Sequence, residues 1–464
     1  MTKDYLLTIC DGTAVGDTRA TIGAEPFHAS WEWDGRTLTL KTDRFGLQQV
    51  FYRQTEKSFA VSTTIDGLRQ PDEAFDWGAL GLFLRLGFYI DNDTPYREIR
   101  LAPADSILRW QDRALTIEAR QRPQVRPYVG TRQQAKDIYI ELFREGVKGL
   151  LDAYQGVPIS CPLSGGRDSR HIFLELSRLG TPFRAFTVAL DNANDDSIAA
   201  ALCAQFNVAH TIVPMGRPSL QTARAMQSGT NYATIEHRWM VGMAETIQGG
   251  VVFDGVAGDV LSAGHFATER MLSQFRRHKL EELADDLLKA EDGLRNLLQP
   301  WLYANVTRAD AKERLVQELA RHGDNPSPIA SFFLANRTRR VASLMATTVF
   351  KHCQGLMPFF LDPVYDFLFA LPGEMTVDHK LHSETLSQAF PECTHPYSEK
   401  HAPASQRALM AEALAASAEW RKIVDMGFLR KRLSRGIVQG SYSARSAWLV
   451  DIPCYLHHVG VGRS

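Results

Sequence analysis

At 464 residues, with a formal net charge of −1 and 44% hydrophobic residues, the chain is long enough for roughly two or three domains around a sizeable core. Balanced charge excludes a whole-chain attraction to nucleic acid or acidic membrane, no apolar run reaches the length of a bilayer span, and Met1-Thr2-Lys3-Asp4-Tyr5 has no signal-peptide pattern. Six cysteines, scattered without Cys-X-X-Cys pairs, argue for reduced thiols in a cytoplasm over a disulfide framework or a zinc site.

Residues 1 to about 120 read as β-rich with one helix. Cys10 falls in an apolar run and reads as a buried strand cysteine. The segment 37–42 alternates, Val50-Phe51-Tyr52 follows a turn at Gly46, and residues 59–62 follow a charged turn. Residues 79–87 read as a helix closed by glycine. Segments 106–110 and 115–119, joined by Gln111-Asp112-Arg113, read as a hairpin. Residues 121–127 carry two prolines among polar neighbours and are the best linker, which divides the chain into domains at 1–125 and 134–464.

An amphipathic helix over 134–153 leads into the segment 157–171. Val157, Ile159 and Leu163 read as a strand and Ser164-Gly165-Gly166 as a turn. A helix follows from Asp168, with Ile172, Phe173, Leu176 and Leu179 at helical spacing and Gly180 and Pro182 as its stop. The glycines let backbone approach a ligand, the loop N–H groups face the place of an anion, and the helix start adds the positive end of its dipole. Ser164, Asp168 and Ser169 surround that place. The loop lacks the Gly-Lys-Ser/Thr ending of a Walker A loop, so γ-phosphate transfer is not its chemistry.

Residues 183–190 form the next strand, completing a β-α-β unit with the loop at the carboxyl end of its first strand, where α/β sheets bind ligands. Asp195-Asp196-Ser197 caps a helix through Phe206, and 208–213 is a further strand. Residues 251–259 read as a strand ending in a glycine-rich turn with an acid, Asp259. Residues 264 to about 350 read as helices with solvated charged faces; Arg337, Arg339 and Arg340 are groups an acidic substrate or partner would use, with a solvated face the favoured reading. Arg430-Lys431-Arg432 and Arg435 read as a solvated helix face.

The string Leu-Ser-Gly-Gly-X-Asp-Ser at 163–169 resembles the PP-loop of ATP pyrophosphatases, which cleave ATP between its α and β phosphates. Further stretches extend the resemblance to the asparagine synthetase-like group, which includes class II asparagine synthetases, β-lactam synthetases and lasso-peptide cyclases. They are Asp43-Arg44-Phe45-Gly46-Leu47, Thr94-Pro95-Tyr96, Leu101-Ala102-Pro103, the turn at 254–259, Pro358-Phe359-Phe360-Leu361-Asp362, Lys380-Leu381 and Tyr397-Ser398-Glu399-Lys400. The fold implied is α/β: a parallel-sheet PP-loop synthetase domain (adenine nucleotide α-hydrolase-like) with a helical C-terminal part, preceded by a small antiparallel β-rich Ntn-like remnant. The resemblance implies that Leu163, Ser164, Gly165, Gly166, Asp168 and Ser169 hold the phosphates of ATP, and that Val188 and Gly255 line the nucleotide. It gives Mg²⁺ to Asp168 and Asp259, a pair that suits a cation taking one or two carboxylates plus phosphate oxygens. Lys400 is implied to steady the acyl-adenylate.

Departures from the pattern narrow the function. The family's glutaminase uses an N-terminal cysteine, whereas residue 2 is Thr2 and the segment before Phe45 is short. The N-terminal domain therefore reads as a non-catalytic remnant packed on the synthetase domain. The family's acid/base position, three before Asp259, holds Val256, which carries no proton, and Val260 follows Asp259 where the family has glutamate. Tyr232, Glu236 and His237 precede that strand and are within reach as replacements. The expectation is a cytoplasmic carbon–nitrogen ligase that forms AMP and pyrophosphate, with ATP and Mg²⁺ as cofactors. It would adenylate a small-molecule or peptide carboxylate and pass it to ammonia or a substrate amine in specialised biosynthesis. Nucleic acid and membrane are not expected partners, while a biosynthetic partner protein or a homo-oligomer stays open. So do two rivals, a glutamine-hydrolysing asparagine synthetase and a non-catalytic nucleotide-binding subunit.

Overall fold

The computed structural model describes residues 4–120, 122, 125–189, 194–214, 219–235, 239–264, 266–288, 291–344, 353–377, 380–398, 407–439 and 444–462. The chain opens with β1 (Leu6–Cys10), β2 (Thr13–Gly16), β3 (Arg19–Ala24), β4 (Phe27–Trp33), β5 (Thr37–Lys41), β6 (Phe51–Gln54) and β7 (Ser58–Ser62). Helix α1 (Trp77–Leu86) follows, then β8 (Ile99–Leu101), β9 (Ser106–Gln111) and β10 (Ala114–Ala119). They form two antiparallel sheets, ordered β2-β1-β7-β6-β8 and β10-β9-β5-β4-β3. Alternation explains the pairing: Leu38 and Leu40 of β5 and Leu108 and Trp110 of β9 point inward, joining Leu7, Ile9, Phe59 and Val61 of the other sheet in one core. The same alternation corrects the expectation for Cys10, which lies in a strand but is exposed at its end, beyond inward-facing Leu7 and Ile9. Helix α1 is capped by Asp76, whose side chain accepts from Ala79 N at 3.0 Å, and ends on Gly87 at φ 81°.

The second body is a parallel sheet. After α2 (Arg132–Ala153), started by a capping box between Thr131 and Gln134, come β11 (Ile159–Pro162), α3 (Asp168–Arg178), β12 (Arg184–Ala189), α4 (Asp195–Gln205), β13 (Ala209–Pro214), β14 (Val251–Phe253) and β15 (Gln354–Leu356). The order is β13-β12-β11-β14-β15, all pairs parallel. Strand β11 is central, so its carboxyl-end loop lies between those of β12 and β14. Phe143 and Val147 of α2 and Ile172, Phe173 and Leu176 of α3 pack on the sheet, and Leu315 and Phe332 of the later helices extend the same core.

The C-terminal helices do not close on that sheet. Trp420, Leu429, Leu433, Tyr455 and Val459 share a core with Leu80 and Phe83 of α1 and Phe51 of β6. The two ends of the chain are therefore packed together, and the Tyr89 and Tyr455 hydroxyls meet at 2.6 Å. Residues Arg430, Lys431, Arg432 and Arg435 are exposed, as a solvated face requires.

Arg339 and Arg340, on a π-helix over Leu334–Ala342, are buried rather than facing a substrate. Arg339 donates to the carbonyls of Ala102 (2.7 Å) and Gly46 (3.3 Å), and Arg340 to those of Asp91 (2.9 Å) and Asp93 (2.5 Å). Gly46, at φ 62°, is required twice over, because a Cβ there would meet Arg339 Nε at 2.6 Å. Arg337 instead lies over the Phe266 ring at 4.9 Å. On the other side of the junction Arg44 pairs with Asp362 and Asp366. Among the described residues no helix is long and apolar enough to cross a membrane.

Candidate active site

The loop after β11 is rooted in the neighbouring strand. Leu163 N donates to Phe186 O at 2.7 Å, and the Thr187 hydroxyl donates to Leu163 O at 2.7 Å. From there three N–H groups that the sequence reading aimed at an anion have partners within the protein. Ser164 N donates to Ser169 Oγ (3.0 Å), Gly165 N to Asp195 Oδ1 (2.6 Å) and Gly166 N to Ser164 Oγ (3.2 Å). The serine hydroxyls sit 3.0 Å apart, so the loop and the first turn of α3 are stitched into one shape. Leu163 is buried in the main core, Ser164 is exposed, and Val188 turns its side chain into an apolar layer with Phe186, Val213, Met240 and Val252.

The glycines are explained by the protein's own chain. A Cβ on Gly165 would stand 2.5 Å from Ser398 Cβ, one on Gly255 2.9 Å from the Ser169 nitrogen, and one on Gly258 2.7 Å from Asp168 Oδ1. The Gly255–Gly258 turn at the end of β14 is therefore pressed onto the start of α3. This brings Asp168 and Asp259 together. The Asp259 N–H is turned to the Asp168 carboxylate, and the charge of the Asp259 carboxylate acts on His382, whose Nδ1 stands 3.3 Å from Asp168 Oδ1.

Burial pushes the Asp168 carboxyl up to about 7, against the pull of Arg167. A second acid that sequence reasoning passed over shares the turn. Asp254 accepts from Val256 N at 2.8 Å and is pushed up to about 6, by burial first and then by the charge of Asp168. Asp168 Oδ1 is buried and makes no hydrogen bond. Crowded carboxylates with an unsatisfied oxygen suit a hard divalent cation, so these residues fit Mg²⁺. Among the described residues no three acidic, histidine or cysteine side chains form a ready cage.

A strap of residues 395–398 crosses the loop. Ser398 N donates to Gly165 O at 3.0 Å, while the Arg170 guanidinium donates to the carbonyls of Gly165 (3.0 Å), His395 (2.7 Å) and Pro396 (2.6 Å). The Tyr397 ring takes Arg167 at 4.0 Å and Arg170 at 4.4 Å. Lys400 lies outside the described residues, as do Thr2, Glu236 and His237. Tyr232 is not at the loop: its hydroxyl donates to Asp66 of the N-terminal body at 2.8 Å, and burial with the Asp66 charge pushes it up to about 12. Arg170, Asp195, Asp254, His382 and Tyr397 were missed. Arg170 adjoins the motif and His382 lies two residues after Lys380, but only the fold says which way they turn.

The asparagine synthase family profile matches residues 139–393, more than half of the chain. The chain belongs to the asparagine synthase family. No curated protein matches this asparagine synthase family chain. Among solved structures it is similar to the allosteric regulatory enzyme of purine biosynthesis, at 8% identity over 40% of this chain and 47% of that one, with a TM-score of 0.15. Another is glutamine phosphoribosylpyrophosphate amidotransferase from B. subtilis complexed with ADP and GMP, at 10% identity over 51% and 44%, with a TM-score of 0.14. The chain thus spans about half the length of each, and neither likeness bears on the fold.

Proposed function

We propose that this family member is an AMP- and pyrophosphate-forming amide ligase. A substrate carboxylate oxygen attacks the α-phosphorus of ATP, and the bridging oxygen leaves with pyrophosphate. An amine nitrogen then attacks the acyl carbon, the acyl–oxygen bond breaks, AMP departs and the nitrogen loses a proton. The observation that carries this reading is the placement of Asp168 against the Asp259 turn, at the carboxyl ends of two adjacent parallel strands.

Ser164, Gly165, Gly166 and Ser169 would hold the pyrophosphate, and Leu163, Val188 and Gly255 would line the nucleotide. Asp168 and Asp259 would hold Mg²⁺, whose charge neutralises the pyrophosphate as it departs. Lys400, two residues beyond the strap, would steady the adenylate, a role resting on its resemblance alone. The N-terminal body would be a glutaminase remnant that docks through Arg339 and Arg340, and the nitrogen would come from ammonia or a substrate amine in a specialised biosynthesis.

The test is ATP–pyrophosphate exchange across a panel of carboxylates, with ammonia and glutamine compared as nitrogen sources. Exchange that requires a particular carboxylate, and that Asp168→Asn and Asp259→Asn abolish, supports the reading. Release of ADP, or undiminished AMP release by both variants, overturns it. Amide formation from glutamine would restore the glutaminase.

A further inference from the structure

Behind Asp168 lies a closed polar cluster that the proposed chemistry leaves unused. Tyr139 of α2, His171 of α3, Ser262 and His382, from the helix Lys380–Ala389, are all fully buried. His382 Nδ1 stands 3.0 Å from Ser262 Oγ and 3.3 Å from Asp168 Oδ1, while its Nε2 faces His171 Nδ1 at 3.3 Å and the Tyr139 hydroxyl at 3.5 Å. Ser262 Oγ in turn donates to Gly258 O at 2.8 Å, the residue before Asp259.

The hydrogens can be assigned. Ser262 has one, engaged at Gly258 O, so it offers His382 a lone pair, and an ionised Asp168 offers only lone pairs. Nδ1 therefore carries the imidazole proton, Tyr139 donates its own to Ser262 Oγ at 3.2 Å, and Nε2 accepts from His171 Nδ1. That N–H goes to the serine that ties down the Asp259 turn, and the same nitrogen stands 3.3 Å from the otherwise unpartnered Asp168 Oδ1. Rings at 5.4 Å (His171), 5.8 Å (Tyr139) and 6.0 Å (Phe359) hold the imidazole in place.

We propose that His382, bridging Asp168 and the Ser262–Gly258 link, is a positioning residue that sets the two acids in the one relative geometry needed to grip a divalent cation. This rests on the ATP·Mg²⁺ reading above. Without the imidazole, nothing stands 3.3 Å behind the Asp168 oxygen and the carboxylate is free to rotate away from Asp259. Removing partners of this kind from metal ligands weakens metal binding about tenfold to a hundredfold.

The experiment uses the full chain with a non-hydrolysable ATP analogue, and follows Mn²⁺ binding by electron paramagnetic resonance. Far-UV circular dichroism reports folding. His382→Leu is expected to bind Mn²⁺ at least about tenfold more weakly, and His382→Asn, which restores an N–H near Nδ1, to recover to within about threefold. Ser262→Ala keeps the imidazole but removes the hydroxyl that joins it to Gly258 and that Tyr139 donates to, so it carries the test if His382→Leu does not fold; about threefold weakening is expected. Wild-type affinity in His382→Leu or Ser262→Ala overturns the proposal, as does a His382→Asn protein as weak as His382→Leu. If the wild-type chain with the analogue binds no Mn²⁺, the ATP·Mg²⁺ reading itself falls and takes this one with it.

Discussion

The N–H of Gly165 donates to Oδ1 of Asp195 at 2.6 Å, so a carboxylate from the start of α4 occupies a donor that an incoming phosphate would use. Asp195→Asn keeps an acceptor for Gly165 and removes the negative charge. The loop shape should persist, and ATP should bind about threefold more tightly, the scale of one partly exposed charge near an anion. Isothermal titration with ATP checks this, and weaker binding would make Asp195 a purely structural anchor.

The buried acids give the stability of the metal-free protein a distinctive pH dependence. Asp254, pushed up to about 6, keeps its proton in the folded state between pH 4 and 6, while the unfolded chain has lost it. Its contribution to stability is therefore fully present below pH 4 and is lost as pH rises to 6. His171, held well below its ordinary value by burial and His382, and His382, lowered to about 3 by burial and Arg167, carry the opposite slope, His382 across the whole of this range. The difference between wild type and Asp254→Asn isolates the aspartate. In chelator, the variant should gain on wild type by at least ~2 °C in Tm between pH 4 and 6.

Arg339 satisfies two carbonyls of the N-terminal body from a buried position. Arg339→Met keeps much of the volume but leaves Gly46 O and Ala102 O without that donor, a cost of about 3 kcal/mol. Arg339→Lys should recover little, since one ammonium does not reproduce the fork. Differential scanning fluorimetry should show both variants melting several degrees early.

Tyr397 lies against two guanidinium groups, Arg170, which also holds the loop at Gly165 O, and Arg167, which donates to Ser383 Oγ at 2.6 Å. Each contact is worth about 0.5–2 kcal/mol. Tyr397→Phe keeps the ring and should resemble wild type, whereas Tyr397→Ala should raise the KM for ATP in pyrophosphate exchange about tenfold, the equivalent of ~1.4 kcal/mol. An unchanged KM in Tyr397→Ala would show that the strap is held by the Arg170 hydrogen bonds alone.

The local elements were legible because each is written in its own residues. Alternation marked β5, β9 and β10, a charged turn announced β7, a glycine stop marked α1, helical spacing with a glycine stop marked α3, and Leu163–Ser169 announced the turn. The pairing of β11 with β12 followed from the β-α-β pattern, whereas the full order β13-β12-β11-β14-β15 did not. Beyond this, contacts between distant segments decide the outcome, and no periodicity encodes them. Cys10 was placed in a strand but on the wrong face, since its position at the strand end left it beyond the core. Arg339 and Arg340 looked like solvated charges until the carbonyls of 46, 91, 93 and 102 came to meet them.

By itself, then, the sequence determined a strand–loop–helix bearing hydroxyls and an acid, and a second acid on a later turn. Only the tertiary structure decided that Asp168 packs against that second turn, that His382 stands behind it, that Ser398 lies on Gly165, and that the C-terminal helices fold back onto α1. The reason is physical. A turn or a helix is set by dihedral preferences and by side chains a few residues apart, whereas the site is set by burial, which joins positions more than two hundred residues apart in the chain, such as Asp168 and His382.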